Sequence, residues 1–113
     1  MLGNLDIALD AYFSSSKAAI NANYAAGEGM AYVSIADTYS ELGDSKNAEL
    51  YYDKAIVLLR NTKDVITLAT ALLNAGDEAF NINKYDKALQ YFEESCNWIF
   101  FSAPVDCSSQ SFF

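Results

Sequence analysis

Ala8, Ala48 and Ala88 recur at a spacing of 40 residues, and the segments around them share one shape. Residues 5–12, 45–52 and 85–92 each set an aromatic side chain four positions after that alanine: Tyr12, Tyr52 and Phe92. Four residues are about one helical turn, so the small and the aromatic residue share a face. Alanine there lets two helix backbones approach closely, and the aromatic ring fills the space that opens beside the contact. A fixed period constrains the fold more than any local propensity, because each copy must form the same small unit and stack on the next.

A second amphipathic helix precedes two of the three segments. Tyr32, Ile35, Ala36, Tyr39 and Leu42 follow helical spacing, as do Val65, Leu68, Leu72, Ala75, Gly76, Ala79 and Ile82. Each unit therefore reads as helix, tight turn, helix. Gly43-Asp44 supplies the first turn and an N-cap, and Asn83 is expected to cap the helix starting near Lys84. Gly3-Asn4 stands in register with Gly43-Asp44 and reads as the turn of a unit whose own first helix is missing. Proline occurs once, at Pro104, and a hydrophobic fraction of 52% can support a continuous core, so an all-α fold is expected. The map is a half unit over residues 3–22, full units over 29–61 and 64–101, together one domain over 1–101, and an irregular Phe- and Ser-rich tail over 102–113. Within that last helix Cys96 and Ile99 are expected to face inward. Trp98, Phe100 and Phe101 extend an apolar surface where a polar cap would be expected.

Tyr32, Ile35, Ala36, Tyr39, Gly43-Asp44, Ala48, Tyr52 and Ala55 resemble a tetratricopeptide repeat. Leu72, Ala75, Gly76, Tyr85, Ala88 and Phe92 resemble a second one, with Ala79 in place of the usual tyrosine and Ser95 in place of the last alanine. The period of 40 exceeds the roughly 34 residues of the commonest form. It is similar to the longer-repeat signalling group found in G-protein regulators, kinesin light chains and the sensory halves of some bacterial sensor kinases. The resemblance implies antiparallel helical hairpins forming a short right-handed superhelix, an α-solenoid. It also implies that the first helix of each unit lines a concave groove for a protein or peptide.

On that implication the groove residues are Val33, Ser34, Asp37 and Glu41 from one helix, with Met30 beside them, and Thr70, Leu73, Asn74, Asp77, Phe80 and Asn81 from the next. Neither helix contains lysine or arginine. All seven basic residues, Lys17, Lys46, Lys54, Arg60, Lys63, Lys84 and Lys87, lie elsewhere. The groove is thus expected to be negative and to take a basic or amphipathic segment, with Asp37 and Asp77 pairing its charges while Val33, Leu73 and Phe80 meet its apolar part. The family's clamp for acidic chaperone tails needs lysine and arginine on these helices; Asn74 alone is present. Tyr12, Tyr32, Tyr39, Tyr52 and Phe92 read as core packing rather than a ligand box.

A formal charge of −8 disfavours nucleic acid and anionic membrane as partners. No run reaches the roughly 18–20 apolar residues of a membrane span, and the start has no basic region followed by an apolar one, so a cytoplasmic chain is expected. Histidine is absent, and Cys96 and Cys107 have no metal-ligand spacing, so they read as free thiols and neither a metal nor a cofactor is expected. Catalysis is not expected, because adjacent acids such as Asp77-Glu78 and Glu93-Glu94 diverge on a helix and no nucleophile or phosphate-loop pattern exists. The function implied is an interaction module, a scaffold or sensory domain. The alternatives are a self-assembling element, with oligomers forming through open solenoid ends, and a regulatory fragment of a bacterial sensor kinase or transcription regulator.

Overall fold

The computed structural model describes the backbone over residues 2–102 and the side chains over residues 5–99. Five α-helices follow one another: α1 (Leu2–Asn21), α2 (Ala25–Glu41), α3 (Ser45–Leu59), α4 (Val65–Asn81) and α5 (Tyr85–Ser102). Each packs on the next, and α4 also touches α2. The short connections make successive helices antiparallel. Thus α2 with α3, and α4 with α5, form two stacked hairpins, while α1 lies against α2.

Three of the four connections share one chemistry. After α1, α2 and α4 the chain turns at a residue in the left-handed region: Asn23 at φ 54°, Gly43 at φ 80° and Asn83 at φ 66°. In each, the next amide reaches back five residues: Tyr24 to the Ala19 carbonyl at 2.8 Å, Asp44 to Tyr39 at 2.9 Å and Lys84 to Ala79 at 2.8 Å. This closure satisfies the orphan carbonyls at a helix C-terminus. Asn83 therefore ends α4 and does not cap α5 as expected, because its left-handed backbone lies on the α4 side of the turn. The link from α3 to α4 differs and has no left-handed residue.

At the helix starts, Asp44 accepts from the Asn47 amide at 3.2 Å and Asp64 from the Thr67 amide at 3.1 Å. Both are N-caps, and hydrogen bonds from Thr67 hold the Asp64 carboxyl below its ordinary value. Two expectations about helix starts are corrected. Gly3 and Asn4 are not a turn but lie within α1. The first helix of the first hairpin begins at Ala25 rather than 29, running through Gly27 and Gly29. Gly29 has a packing reason: an added Cβ would sit 2.6 Å from Cγ and Cδ2 of the fully buried Leu59.

The core lies between the hairpins and comprises Ala36, Ala48, Tyr52, Ala55, Ile56, Leu59, Leu68, Ala71, Leu72 and Ala75, with Val33. Ala48 and Ala88 are both buried, as their spacing predicts, whereas Ala8 is half-buried. Trp98, expected on an open apolar surface, is half-buried: it packs against this core and donates to Glu94 at 3.1 Å. Ile99, expected inside, is exposed, because no further helix covers that side of α5 among the described residues. Phe100, Phe101 and the tail expected over 102–113 lie outside the described side chains. Cys96 is disulfide-bonded rather than a free thiol, and the chain's other cysteine, Cys107, lies outside the described residues.

The two layers of the stack are joined differently. The α2 and α4 backbones approach within 8 Å, whereas α3 and α5 do not. Long side chains span that second gap. Arg60 forms a two-pronged pair with Glu94, Nε to Oε2 at 2.8 Å and Nη2 to Oε1 at 2.6 Å. Lys84 reaches Glu49 at 3.0 Å, Lys87 reaches it at 3.1 Å, and Tyr91 donates to Asp53 at 2.5 Å. Burial pushes the Glu49 carboxyl up, but Lys84 and Lys87 outweigh it and hold Glu49 below its ordinary value.

Candidate functional site

A cleft of about 330 Å3 opens between α2 and α4. Its walls are Asp37, Ser40 and Glu41 from α2 and Asn74, Asp77, Glu78 and Asn81 from α4, with Tyr52 of α3 beneath. Helical spacing explains the grouping: 37 with 41, and 74 with 77, 78 and 81, each stand one turn apart on a single face.

The polar groups are joined internally by neutral donors. The Tyr52 hydroxyl donates to Asp37 Oδ1, and Asn74 Nδ2 lies 3.4 Å and 3.5 Å from the two Asp37 oxygens. Ser40 Oγ donates to Glu78 Oε1 at 2.5 Å. Burial pushes the Asp37 carboxyl up and Glu41 adds to this, while the Tyr52 and Asn74 hydrogen bonds pull it down; the net shift is upward. Tyr52 is likewise pushed well above an ordinary phenol, by burial first and by Asp37 second. Four carboxylates thus share one cleft, and the hydrogen bonds satisfy two of them without cancelling any charge.

Of the ten residues expected in the groove, five meet here: Asp37, Glu41, Asn74, Asp77 and Asn81. Val33 does not. It is 7% exposed and belongs to the core, because α2 packs against α1, α3 and α4 at once and little of its circumference is left free. Ser34 is half-buried, and its carbonyl accepts from the Thr38 hydroxyl at 2.9 Å. Thr70, Leu73 and Phe80 are exposed along α4 outside the cleft, with Phe80 packed edge-on to Tyr85 at 5.3 Å. Met30 is also exposed.

Three cleft residues escape the sequence reading: Ser40, Tyr52 and Glu78. Tyr52 satisfies the core expectation and also points its hydroxyl at the cleft floor. Glu78 stands 40 residues after Thr38, and both are buried polar residues in otherwise apolar stripes. That coincidence was the available signal. Asp37 also differs from expectation, since its carboxylate is already bonded within the chain, whereas Asp77 and Glu41 are exposed beside the cleft.

The remaining aromatic residues behave as packing groups. Tyr51 stacks on Tyr39 at 5.8 Å and meets Phe13 edge-on at 5.8 Å and Tyr32 at 5.9 Å, joining α1, α2 and α3. Lys54 Nζ covers the Tyr51 ring at 5.0 Å. Among the described residues, no group of three or more acidic, cysteine or histidine side chains is placed to hold a metal ion. No helix among them is long and apolar enough to cross a membrane.

The repeated hairpin, its left-handed turn and its small-residue contacts agree with a family model described as tetratricopeptide repeat, which matches residues 28–97, more than half of the chain. The chain belongs to the tetratricopeptide repeat family. Neither the curated proteins nor the solved structures give a match. The tetratricopeptide repeat is in general a non-catalytic scaffold for protein–protein contact, and the matched span covers every residue of the cleft.

Proposed function

We propose that this tetratricopeptide repeat chain is a non-catalytic interaction module, a scaffold or sensory domain, that holds a basic or amphipathic segment of another protein against the cleft between α2 and α4. The observation that carries the reading is the charge of that cleft: Asp37, Glu41, Asp77 and Glu78 line it, and neither helix bears a lysine or arginine. A positive side chain entering there meets carboxylates already positioned by Tyr52, Asn74 and Ser40, so little ordering is left to oppose binding. The same field, on a chain of net charge −8, repels nucleic acid and anionic membrane.

The test is a titration of two flexible peptides of equal length and hydrophobicity, one rich in lysine and one in glutamate, at low and raised salt. The lysine peptide is expected to bind, and to lose on the order of tenfold in affinity when salt is raised. A chain carrying Glu41→Gln and Asp77→Asn, both at exposed positions, is expected to weaken it without unfolding. Equal binding of the two peptides would remove the reading.

A further inference from the structure

The 40-residue period relates α2 to α4 position by position: Val33 to Leu73, Asp37 to Asp77 and Ser40 to Phe80. On α2 the three members are occupied. Val33 is buried, Asp37 receives Asn74 of α4, and Ser40 donates to Glu78 of α4. On α4 the counterparts are open: Leu73 is 43% exposed, Phe80 is 56% exposed, and Asp77 is exposed between them. Ile66, two turns before Leu73, continues the stripe at 81%. Positions 73, 77 and 80 fall four and three apart and so share one face. The interface that holds α4 on α2 is therefore repeated one period later, with larger apolar groups and nothing on it among the described residues.

We propose that the basic or amphipathic segment reaches Asp77, on the α4 wall of the cleft, as an α-helix laid along the outer face of α4, in the place that α4 takes alongside α2. It sets apolar side chains on Leu73 and Phe80 and a lysine or arginine on Asp77 between them. The inference rests on the acidic-cleft reading for the sign of the partner's charge and on the repeat for its shape. An apolar, acidic, apolar face is matched by a helix with an apolar residue, a cation one turn on, and an apolar residue two turns on. A second copy of this chain is the poorer occupant. It brings its own net charge of −8, and both first helices of its hairpins lack any basic residue to meet Asp77.

The probe is a peptide of residues 64–82 carrying Asn74→Lys and Glu78→Leu. In the place of α4 it puts the lysine where Asn74 meets Asp37 and the leucine where Glu78 meets Ser40. Titrated against the full chain, it is expected to bind and to gain helical circular dichroism on binding. The affinity is expected to fall on the order of tenfold when the chain carries Phe80→Ser or Leu73→Ser, or when Ala75→Pro is added to the peptide. Glutamate in place of the lysine is expected to abolish it. Failure of this peptide to bind, or equal binding of the proline version, overturns the helical inference. If the flexible lysine peptide of the preceding section still binds, the acidic cleft survives alone. Equal binding of the glutamate version overturns both. A chain that sediments as a dimer through this face, lost with Phe80→Ser, assigns the face to self-association and overturns the proposal. Nuclear Overhauser contacts from Phe80 to residues 103–113 in the free chain assign it to the chain's own segment and overturn it as well.

Discussion

The hairpin of α2 and α3 and the hairpin of α4 and α5 carry the same plan at a shift of 40 residues, but among the described residues only the first is enclosed. Leu59 in α3 is 0% exposed, whereas its counterpart Ile99 in α5 is 39% exposed. Tyr52 is buried and its counterpart Phe92 is half-buried. Val33 and Leu73 part in the same direction. The side chains are of like kind in each pair, so the difference comes from neighbours rather than from residue type. In a stacked repeat, stability is a sum of what each unit supplies and what its neighbours cover.

The largest expected effect is on paired truncations. Leu59→Ala is expected to cost about 2–5 kcal/mol, as for other fully buried leucines, and Ile99→Ala about 1 kcal/mol or less. Denaturant unfolding of both variants measures this. Equal losses would mean that Ile99 is covered in solution, and the contrast between the hairpins would fail.

A smaller effect comes from a buried pair that differs in polarity. Ala55 and Ser95 are counterparts and both are buried, but the Ser95 hydroxyl has no hydrogen-bond partner among the described residues. Ser95→Ala is expected to stabilise by about 1 kcal/mol, and Ala55→Ser to destabilise by about 1–3 kcal/mol. A loss of stability from Ser95→Ala would show that the hydroxyl is in fact bonded.

The smallest effect is on pH dependence. The Arg60 guanidinium, aided by Trp98 and opposed by burial, holds Glu94 below its ordinary value, and Glu49 is held low by its two lysines. A depressed native pKa contributes stability that is full above the unfolded value of 4.5 and is lost as pH falls through the native one. Asp37 has the opposite sign: its native value is raised, so protonation on acidification favours the folded state. Glu94→Gln is therefore expected to flatten the acid-side loss of stability, and Asp37→Asn to steepen it. Stability measured at several pH values between 3 and 7 checks both directions. If the two substitutions move the curve the same way, the electrostatic contrast between the cleft and the opposite layer is wrong.

The helices and their order were legible because small and aromatic residues repeat with both the helical and the 40-residue period. What stayed hidden has separate causes. The start of α2 at Ala25 lies ahead of the periodic apolar positions that begin at Tyr32, and Gly29 in its first turns is there to admit Leu59. Asn83 was assigned to the wrong side of its turn, since asparagine suits both an N-cap and a left-handed closure, and only the backbone decides. Val33 was placed in the groove because periodicity predicts one buried stripe, whereas a helix with three packed neighbours buries most of its surface. In the cleft the acidic residues were legible as a charge pattern. The internal bonds from Tyr52 to Asp37 and from Ser40 to Glu78 join residues 15 and 38 positions apart, which no local pattern reports.

The side chains spanning α3 and α5 have a mechanical consequence. Where α2 and α4 touch, the stack has a fixed inner edge; where Arg60, Glu94, Lys84, Lys87, Glu49, Asp53 and Tyr91 reach across, the outer edge is as wide as those side chains are long. A stack narrow on one side and wide on the other is a wedge, and successive wedges bend. These spokes are partly or largely solvent-exposed and several are ion pairs, so dissolved salt weakens them more than the hydrogen bonds from neutral donors that join α2 to α4. Raised ionic strength is therefore expected to loosen the α3–α5 side of the stack more than the α2–α4 side.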